Sequence, residues 1–457
     1  MTRLNTTILL LILLATGACT SNQAIKLDTS VSGAYRFEDG TLFSLSPSNE
    51  TRIRMLNYDN GEPYSLYYTQ EDGFNIAKGF GSTDFFATGD FHYDDKQEII
   101  AAKWTQDGVS KVLTKLPLVR KTVMFKSGDL MLRGELTLPE GKGPFPVVVT
   151  VHGSESSSAV DYYQWPYLLA ANGIAGFKYD KRGTGGSEGE YTQHFPTLAG
   201  DTVAAINYLR SEHNIDMEKV NLLGFSQGGW IAPLVAKEIN IQSYIIAFGT
   251  SVPTSREDRW GYVKRLIDNS YGEKEIGYAD EINALITQIV VYHNEAAWDE
   301  LLALKDKYQD AEWFKVIANS DSMLGFVSSK LTHPLVGLMP DIGWKWYTQW
   351  KRGDSKGPGF NRTYQPLETL STLNTPSLWL LAGEDTSLPT PETAQDLAAL
   401  KSQGLPIDFT VYPGAEHGNV MYTTDAEGKR TYTHYVESYF QDVVNYFQQQ
   451  NDVAPLR

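Results

Sequence analysis

The sequence predicts an α/β protein with a doubly wound, mostly parallel sheet, preceded by a small all-β domain and interrupted by a helical cap insertion. Three observations support this prediction. Asp-Gly and Asn-Gly pairs, which are typical of turns, are frequent in about the first hundred residues. Short apolar runs alternate with helical patterns after residue 119, and this alternation stops between residues 254 and 366. With 457 residues, 42% of them hydrophobic, the chain is long enough to bury more than one core.

Residues 1 to 18 have the pattern of an export signal. Arg3 precedes an apolar run from Ile8 to Ala15, far shorter than the ~20 residues that span a bilayer, and small residues then lead to Cys19. The pattern resembles a bacterial lipoprotein signal, which would lipidate Cys19 and leave residues 19 to 30 as a linker; an ordinary secretory signal is the alternative. We therefore expect an exported, periplasmic-side envelope protein that meets the membrane only through a lipid anchor.

Charge and cysteine content exclude several classes of protein. The chain has 39 lysines and arginines against 55 aspartates and glutamates, a net charge of −16, and such an acidic surface repels nucleic acid. The single cysteine excludes an intrachain disulfide and any multi-cysteine metal site. No H-E-x-x-H or similar pattern is present, so we predict neither a metal nor a cofactor. The oligomeric state is not predicted.

Residues 31 to 118 are predicted to form the all-β domain. Turn pairs separate short alternating or aromatic runs, which is the pattern of β-hairpins: Asp39-Gly40, Asn60-Gly61 and Asp107-Gly108. A segment of this length supplies at most two propeller blades of ~40 to 50 residues each, so a complete propeller is excluded. The sequence assigns this domain no function.

Residues 119 to 253 and 367 to 457 are predicted to form the α/β domain. Six apolar runs, most of them separated by helical patterns, are typical of strands buried on both faces of a parallel sheet: Pro146–Val151, Ile174–Tyr179, Val220–Gly224, Tyr244–Phe248, Ser377–Leu381 and Ile407–Tyr412.

The intervening residues 254 to 366, the cap insertion, are mainly helical in pattern. They hold six of the ten tryptophans, which would either roof a binding site or pack within the cap: Trp260, Trp298, Trp313, Trp344, Trp346 and Trp350.

Ser226 is the candidate nucleophile. It lies in the motif Gly224-Phe225-Ser226-Gln227-Gly228, between a predicted strand and a predicted helix. Such a tight turn exposes a serine and points the helix N-terminus at it, with Gly224 and Gly228 as structural supports. A second Gly-x-Ser-x-Gly match surrounds Ser187, but no helix follows that loop directly, so the context favours Ser226.

A serine hydroxyl needs a base to take its proton, and the base needs a carboxylate to hold its tautomer. His417 follows the last predicted strand and Asp385 follows the strand before it. Catalytic groups gather at the carboxyl ends of the strands in such sheets. We therefore predict Ser226, Asp385 and His417 as the catalytic residues, with Glu384 as the alternative acid.

An oxyanion formed at Ser226 needs two N–H donors, which we predict to be the backbone amides of Gln227 and Ser154. Gly153 lets the backbone approach closely, and His152 is expected to be structural because the base is already assigned. Glu155 would place a carboxylate near this loop, where it would either disfavour anionic substrates or point into solvent.

From about residue 120 onward, these motifs together resemble the α/β-hydrolase superfamily, in particular its bacterial esterase-like and prolyl-oligopeptidase-like members. The resemblance rests on five ordered segments: Val151–Ser154, Tyr179–Ser187, Gly224–Gly229 and those around Asp385 and His417. The order serine, aspartate, histidine is the chain order of that superfamily. The resemblance further implies that Arg182 and Ser187 support the site without performing chemistry.

The predicted function is cleavage of a carboxylic ester in a small acyl substrate, through an acyl-enzyme formed on Ser226. A serine peptidase of the prolyl-oligopeptidase-like type and an acyl-thioester hydrolase use the same groups and remain alternatives. The non-enzymatic alternative is an envelope lipoprotein whose fold serves only for binding, since a fold does not by itself imply a function. The intact set of three catalytic residues argues against it.

Overall fold

The computed structural model describes residues 29–49, 52–69, 73–290, 292, 294, 296–318, 359–426 and 428–454. The predicted signal segment, Cys19 and the linker up to residue 28 lie outside these ranges, as do residues 319 to 358 of the predicted cap with Trp344, Trp346 and Trp350. Among the described residues, no helix is both long enough and apolar enough to cross a bilayer.

The N-terminal domain is a closed barrel of eight antiparallel strands, in which each strand pairs with the next and the first pairs with the last. Its interior is packed with apolar side chains from every strand. Asp107 and Gly108 have φ angles of 49° and 77°, as a two-residue hairpin turn of type I′ requires. The prediction of an all-β domain is confirmed. Its strands are β1 (Gly33–Arg36), β2 (Leu42–Asn49), β3 (Arg52–Asn57), β4 (Pro63–Tyr68), β5 (Gly73–Lys78), β6 (Phe85–Tyr93), β7 (Ile99–Gln106) and β8 (Val109–Lys115).

The second domain is built on a mixed sheet of eight strands, in the order β16-β15-β14-β13-β11-β12-β10-β9. Strands β11 to β16 run parallel, and the β9–β10 hairpin adds two antiparallel strands at one edge. The strands are β9 (Val119–Ser127), β10 (Leu130–Leu138), β11 (Phe145–Val151), β12 (Ala175–Tyr179), β13 (Ile215–Phe225), β14 (Ser243–Ala247), β15 (Ser377–Ala382) and β16 (Ile407–Tyr412).

Helices cover both faces of this sheet, so the sheet is doubly wound. Leu198 and Trp230 belong to the core on one face, and Leu168 and Val443 to the core on the other. The helices are α1 (Ala159–Tyr162), α2 (Trp165–Ala171), α3 (Phe195–Leu209), α4 (Gly228–Glu238), α5 (Thr254–Asp268), α6 (Glu273–Val290), α7 (Ala297–Tyr308), α8 (Glu312–Ile317), α9 (Gly359–Thr363), α10 (Pro366–Leu370), α11 (Thr390–Ser402) and α12 (Tyr439–Asn451).

Helices α5 to α8, here called the helical segment, are inserted in the chain between β14 and β15. They bury an apolar core of their own, which includes Tyr262, Ile282 and Leu301. Trp313 is part of that core and Trp298 packs against it. For these two tryptophans, packing within the helical segment is therefore the role that the structure shows.

The barrel packs on the α/β domain through the outer face of β3. Side chains alternate along a strand, so Ile53 and Met55 point into the barrel core while Leu56 faces outward. Leu56 and Tyr58 are buried in the same core as α2 and α12, and the Tyr58 ring lies 5.1 Å from the Phe440 ring. The two domains therefore share one apolar core.

A hairpin that the sequence analysis did not predict follows His417. Its strands are β17 (Val420–Thr424) and β18 (Arg430–Tyr435). The Tyr435 N–H donates to the Gly61 carbonyl at 2.9 Å, and a Cβ on Gly61 would stand 2.6 Å from the Tyr435 oxygen. Gly61, with a φ angle of 73°, therefore permits the hairpin and the barrel to meet.

Candidate active site

Ser226 lies in the tight turn between β13 and α4. Its φ angle is 48°, a left-handed conformation that residues other than glycine adopt only when the surroundings impose it. Glycines provide the necessary space: a Cβ on Gly224 would lie 2.9 Å from the Ile246 side chain, and one on Gly228 would lie 2.9 Å from the Val151 carbonyl oxygen. The turn thus presents the serine at the carboxyl end of β13.

His417 connects Ser226 to Asp385. Its Nε2 lies 3.1 Å from Ser226 Oγ, and its Nδ1 lies 2.9 Å from Asp385 Oδ2. Asp385 is buried, and its Oδ1 also accepts the N–H groups of Ser387 and Leu388, both at 2.8 Å. Glu384, the alternative acid, is exposed. The structure therefore brings Asp385, and not its neighbour, to the histidine.

His152 lies outside this chain of hydrogen bonds. It is buried, and its Nε2 pairs with the carbonyl oxygen of Tyr179. Burial, together with the nearby Lys181 cation, lowers the pKa of His152 from 6.5 to about 3. The ring is therefore neutral at physiological pH, and Nε2 carries the proton that it donates to Tyr179.

The loop after β11 lies against Ser226. A Cβ on Gly153 would stand 3.4 Å from Ser226 Cβ, and Lys181 Nζ fixes the loop by donating to the Gly153 carbonyl at 2.8 Å. Ser154 lines the same cavity as Ser226. Gln227 is the N-cap residue of α4, at the helix end whose first amides have no partner within the helix. Both residues predicted as oxyanion donors are therefore next to the serine.

Arg182 and Ser187 are engaged in structural contacts. Arg182 pairs with the buried Asp201 through Nε at 2.7 Å and Nη2 at 2.6 Å. The Ser187 hydroxyl donates to the Asp180 carbonyl at 2.7 Å and accepts the Arg133 N–H at 2.9 Å. The second Gly-x-Ser-x-Gly motif thus belongs to a loop that its own serine fastens to β10.

We expect Arg182→Met to lower the free energy of unfolding by about 3 kcal/mol, because the variant leaves the Asp201 carboxylate buried without its cation. Urea denaturation measures the change. The exposed Arg210 is the matched control, and Arg210→Met should shift the free energy of unfolding by less than about 0.5 kcal/mol. Equal effects of the two substitutions would contradict the structural role of Arg182.

Glu416 ties the loop of Asp385 to the loop of His417. Its buried Oε1 accepts three hydrogen bonds: from Thr386 N at 2.7 Å, from Thr386 Oγ1 at 3.0 Å and from His417 N at 2.9 Å. Arg430 on β18 forms an ion pair with the same carboxylate. The sequence analysis missed Glu416. Its only signal was its place directly before His417, and the hairpin that carries Arg430 was not predicted either.

We expect Glu416→Ala to lower kcat by about tenfold or more with little change in KM, because the two catalytic loops lose their common anchor while the cavity keeps its lining. Glu416→Gln should retain most of the activity, since its amide oxygen accepts the same hydrogen bonds. Steady-state kinetics on an ester that the protein cleaves measure both parameters. Equal losses in the two variants would contradict this role.

A cavity of about 520 Å³ opens at Ser226 and His417. Both domains line it, and most of the lining is aromatic or aliphatic. The carboxylate of Glu155 also lines it and accepts the Tyr163 hydroxyl at 2.6 Å. None of the described tryptophans of the helical segment is part of the lining, although Trp260 Nε1 donates to the Asp385 carbonyl at 3.1 Å. Apolar lining residues include Leu56, Tyr58, Trp165, Phe225, Phe248, Tyr439 and Phe440.

The described ranges contain no group of three or more histidines, cysteines, aspartates or glutamates arranged to hold a metal ion.

Ser226 lies on the turn after a central strand of a doubly wound mixed sheet. His417 lies within hydrogen-bonding distance of this serine, and Asp385 bonds the other nitrogen of the histidine ring. This arrangement is typical of the class of α/β-hydrolases. Two models of hydrolase families match the chain, each over less than half of its length. The model of the family "Serine aminopeptidase, S33" matches residues 142–256, and that of the "Prolyl oligopeptidase family" matches residues 307–443.

Known proteins are similar to this chain over part of its length. Esterase EstD of Thermotoga maritima is 27% identical over 145 residues, which cover 30% of this chain and 35% of the esterase. Hydrolase LUC6 of a Fusarium species is 27% identical over 208 residues, covering 43% of this chain and 44% of that hydrolase. The matches thus span less than half the length of these relatives.

Solved structures are similar at the level of fold. An acylaminoacyl peptidase of Pyrococcus horikoshii is 15% identical with a TM-score of 0.43, covering 90% of this chain and 56% of its own. A proline iminopeptidase of Mycobacterium smegmatis is 16% identical with a TM-score of 0.42, covering 72% of this chain and 99% of its own.

Proposed function

We propose that this chain is a serine hydrolase that cleaves carboxylic esters of small molecules through an acyl-enzyme. One observation carries the proposal. Ser226 lines a mostly apolar cavity, and its Oγ lies 3.1 Å from His417 Nε2. The other ring nitrogen, Nδ1, lies 2.9 Å from the buried Asp385. These distances suit proton transfer from Ser226 to His417.

In the proposed mechanism, His417 Nε2 takes the hydroxyl proton as Ser226 Oγ attacks the ester carbonyl carbon. The N–H groups of Gln227 and Ser154 bind the resulting oxyanion. His417 then protonates the departing alcohol, which leaves the acyl group on Ser226. A water molecule, deprotonated by His417, attacks this acyl-enzyme and releases the acid. Asp385 holds the tautomer of His417 and stabilises its charged form.

The second candidate is a serine peptidase, and Glu155 is the observation that favours it. Its carboxylate lines the cavity on the side of the nucleophile, since a Cβ on Gly153 would lie 2.7 Å from Glu155 Oε2 and 3.4 Å from Ser226 Cβ. A carboxylate in that place attracts the free amine of a peptide. The names of both matching family models also belong to peptidases.

The helical segment, continued to residue 366, is proposed as a cap. Its contact with the site supports this, because Trp260 reaches from α5 to the carbonyl oxygen of Asp385. Export through residues 1 to 18 and lipidation of Cys19 remain proposals from the sequence. Intact-mass analysis of the protein extracted from membranes tests the lipid, because an acylated Cys19 adds a defined mass to a chain that starts at that residue.

The function is tested by intact-mass analysis after reaction with a fluorophosphonate, followed by rates on matched esters and aminopeptide anilides. We expect one covalent adduct and faster cleavage of the esters. Faster cleavage of the anilides would favour the peptidase. The absence of an adduct on folded protein would overturn the proposal of a serine hydrolase.

A further inference from the structure

The barrel contributes a cation to the wall of the active-site cavity. Arg54 and Leu56 share the outward face of β3, and both line the cavity that contains Ser226. The chain at this point is held in place by Gln164, whose Nε2 donates to the Arg54 carbonyl at 3.2 Å. The N-terminal domain is therefore part of the substrate-binding surface, a role that the sequence does not indicate.

The guanidinium of Arg54 has unused hydrogen-bonding capacity. Its Nη2 donates to the Tyr162 carbonyl at 2.7 Å, which fixes the side chain in place. Its Nε is buried and has no acceptor among the described residues, and none of the ion pairs found in those ranges includes Arg54. Its Nη1 also has no hydrogen bond among the described residues and, unlike Nε, is not one of the buried atoms, so this end of the cation can donate to an anionic group in the cavity.

Two side chains of opposite charge line the cavity, Arg54 and Glu155. Glu155 is the carboxylate of the lining, and the Tyr163 hydroxyl holds it beside Gly153 and the nucleophile. An anionic group on a substrate is repelled by Glu155 and attracted by Arg54. Aromatic and aliphatic side chains make up most of the lining around both charges. This arrangement suits a molecule that is apolar in its middle and anionic at one end.

We propose that Arg54 is a specificity-determining residue that binds a carboxylate of the substrate other than the group that is cleaved. A guanidinium offers parallel N–H donors that match the two oxygens of a carboxylate. The substrate class is then an ester of an apolar acid that carries a second carboxylate, such as a half-ester of a dicarboxylic acid. This inference rests on the proposed function, because it concerns the substrate of the same serine.

Matched fluorophosphonates test the inference without knowledge of the natural substrate. The probes share an alkyl chain, in a series of lengths, that ends in either a carboxylate or a methyl group, and the measurement is the second-order rate of labelling. We expect the wild-type chain to react about tenfold faster with the best carboxylate probe than with its methyl partner. Arg54→Gln should remove this preference, so that the ratio of the two rates falls to about one.

Two further variants separate recognition from folding. Arg54→Lys keeps a cation and should keep part of the preference. Arg52→Gln is the matched control, because Arg52 lies on the same strand, bonds Ser48 Oγ at 2.7 Å and is not part of the cavity lining. It should keep the full preference. Equal wild-type rates with the two probes, or a preference that survives Arg54→Gln, would overturn the inference, whereas a chain that reacts with neither probe would overturn the proposed function itself.

Discussion

Ser226→Ala is expected to abolish the fluorophosphonate adduct and to lower ester hydrolysis by about 10⁴-fold or more. The Ser226 hydroxyl lies 3.1 Å from His417 Nε2, which is close enough for the histidine to take its proton. Without this hydroxyl no acyl-enzyme can form, and His417 has no nucleophile to activate. Intact mass and kcat/KM on the same ester are the two measurements.

Ser187→Ala is the matched control for this prediction, since Ser187 is the central residue of the other Gly-x-Ser-x-Gly motif. Its hydroxyl bonds the backbone of Asp180 and Arg133, so the variant should lose some stability and still form the adduct. If the adduct persisted in Ser226→Ala and disappeared in a folded Ser187→Ala protein, the nucleophile would be Ser187 and the assignment to Ser226 would be wrong.

Asp385→Asn is expected to lower kcat by about 10³- to 10⁴-fold. The aspartate accepts the Nδ1 proton of His417 at 2.9 Å, which leaves Nε2 unprotonated and aimed at Ser226. An asparagine amide can donate instead and would then favour the opposite tautomer, in which Nε2 carries the proton and cannot act as a base. Steady-state kinetics on the same ester measure the loss.

Glu384→Gln provides the comparison, because Glu384 is adjacent in sequence, exposed and not bonded to His417. Its kcat should stay within about twofold of the wild-type value. If instead the Glu384 variant were the inactive one, the alternative acid from the sequence analysis would replace Asp385.

The local parts of the site were predictable from the sequence for a physical reason. The turn at Ser226 is marked by neighbouring residues alone: a short, mainly apolar run, two glycines and a helical pattern. The loops of Asp385 and His417 follow directly after strands, and parallel strands bring their carboxyl ends to one edge of the sheet. Such signals require only short stretches of chain, and the geometry brings all three residues together.

Features that depend on distant pairing were not predictable in this way. The barrel closes by pairing β1 with β8, and it then packs on α12, which lies at the other end of the chain. The β17–β18 hairpin is polar in several positions and lacks the apolar run that identified the buried strands. Glu416 and Arg54 take part in contacts of this kind, to Arg430 on β18 and to the Tyr162 carbonyl, and one sequence without its fold gives no signal for them.

Alternate side chains of β3 face two different surroundings, the active-site cavity and the interior of the barrel. Even positions, Arg54 and Leu56, face the cavity, while odd positions, Ile53 and Met55, face the interior of the barrel. A substitution of Arg54 or Leu56 would therefore change the cavity wall without replacing a residue of the barrel interior or of the loops that carry Asp385 and His417. If Arg54 selects the substrate as proposed, this short strand is a place where specificity can change while Ser226, His417 and Asp385 stay the same.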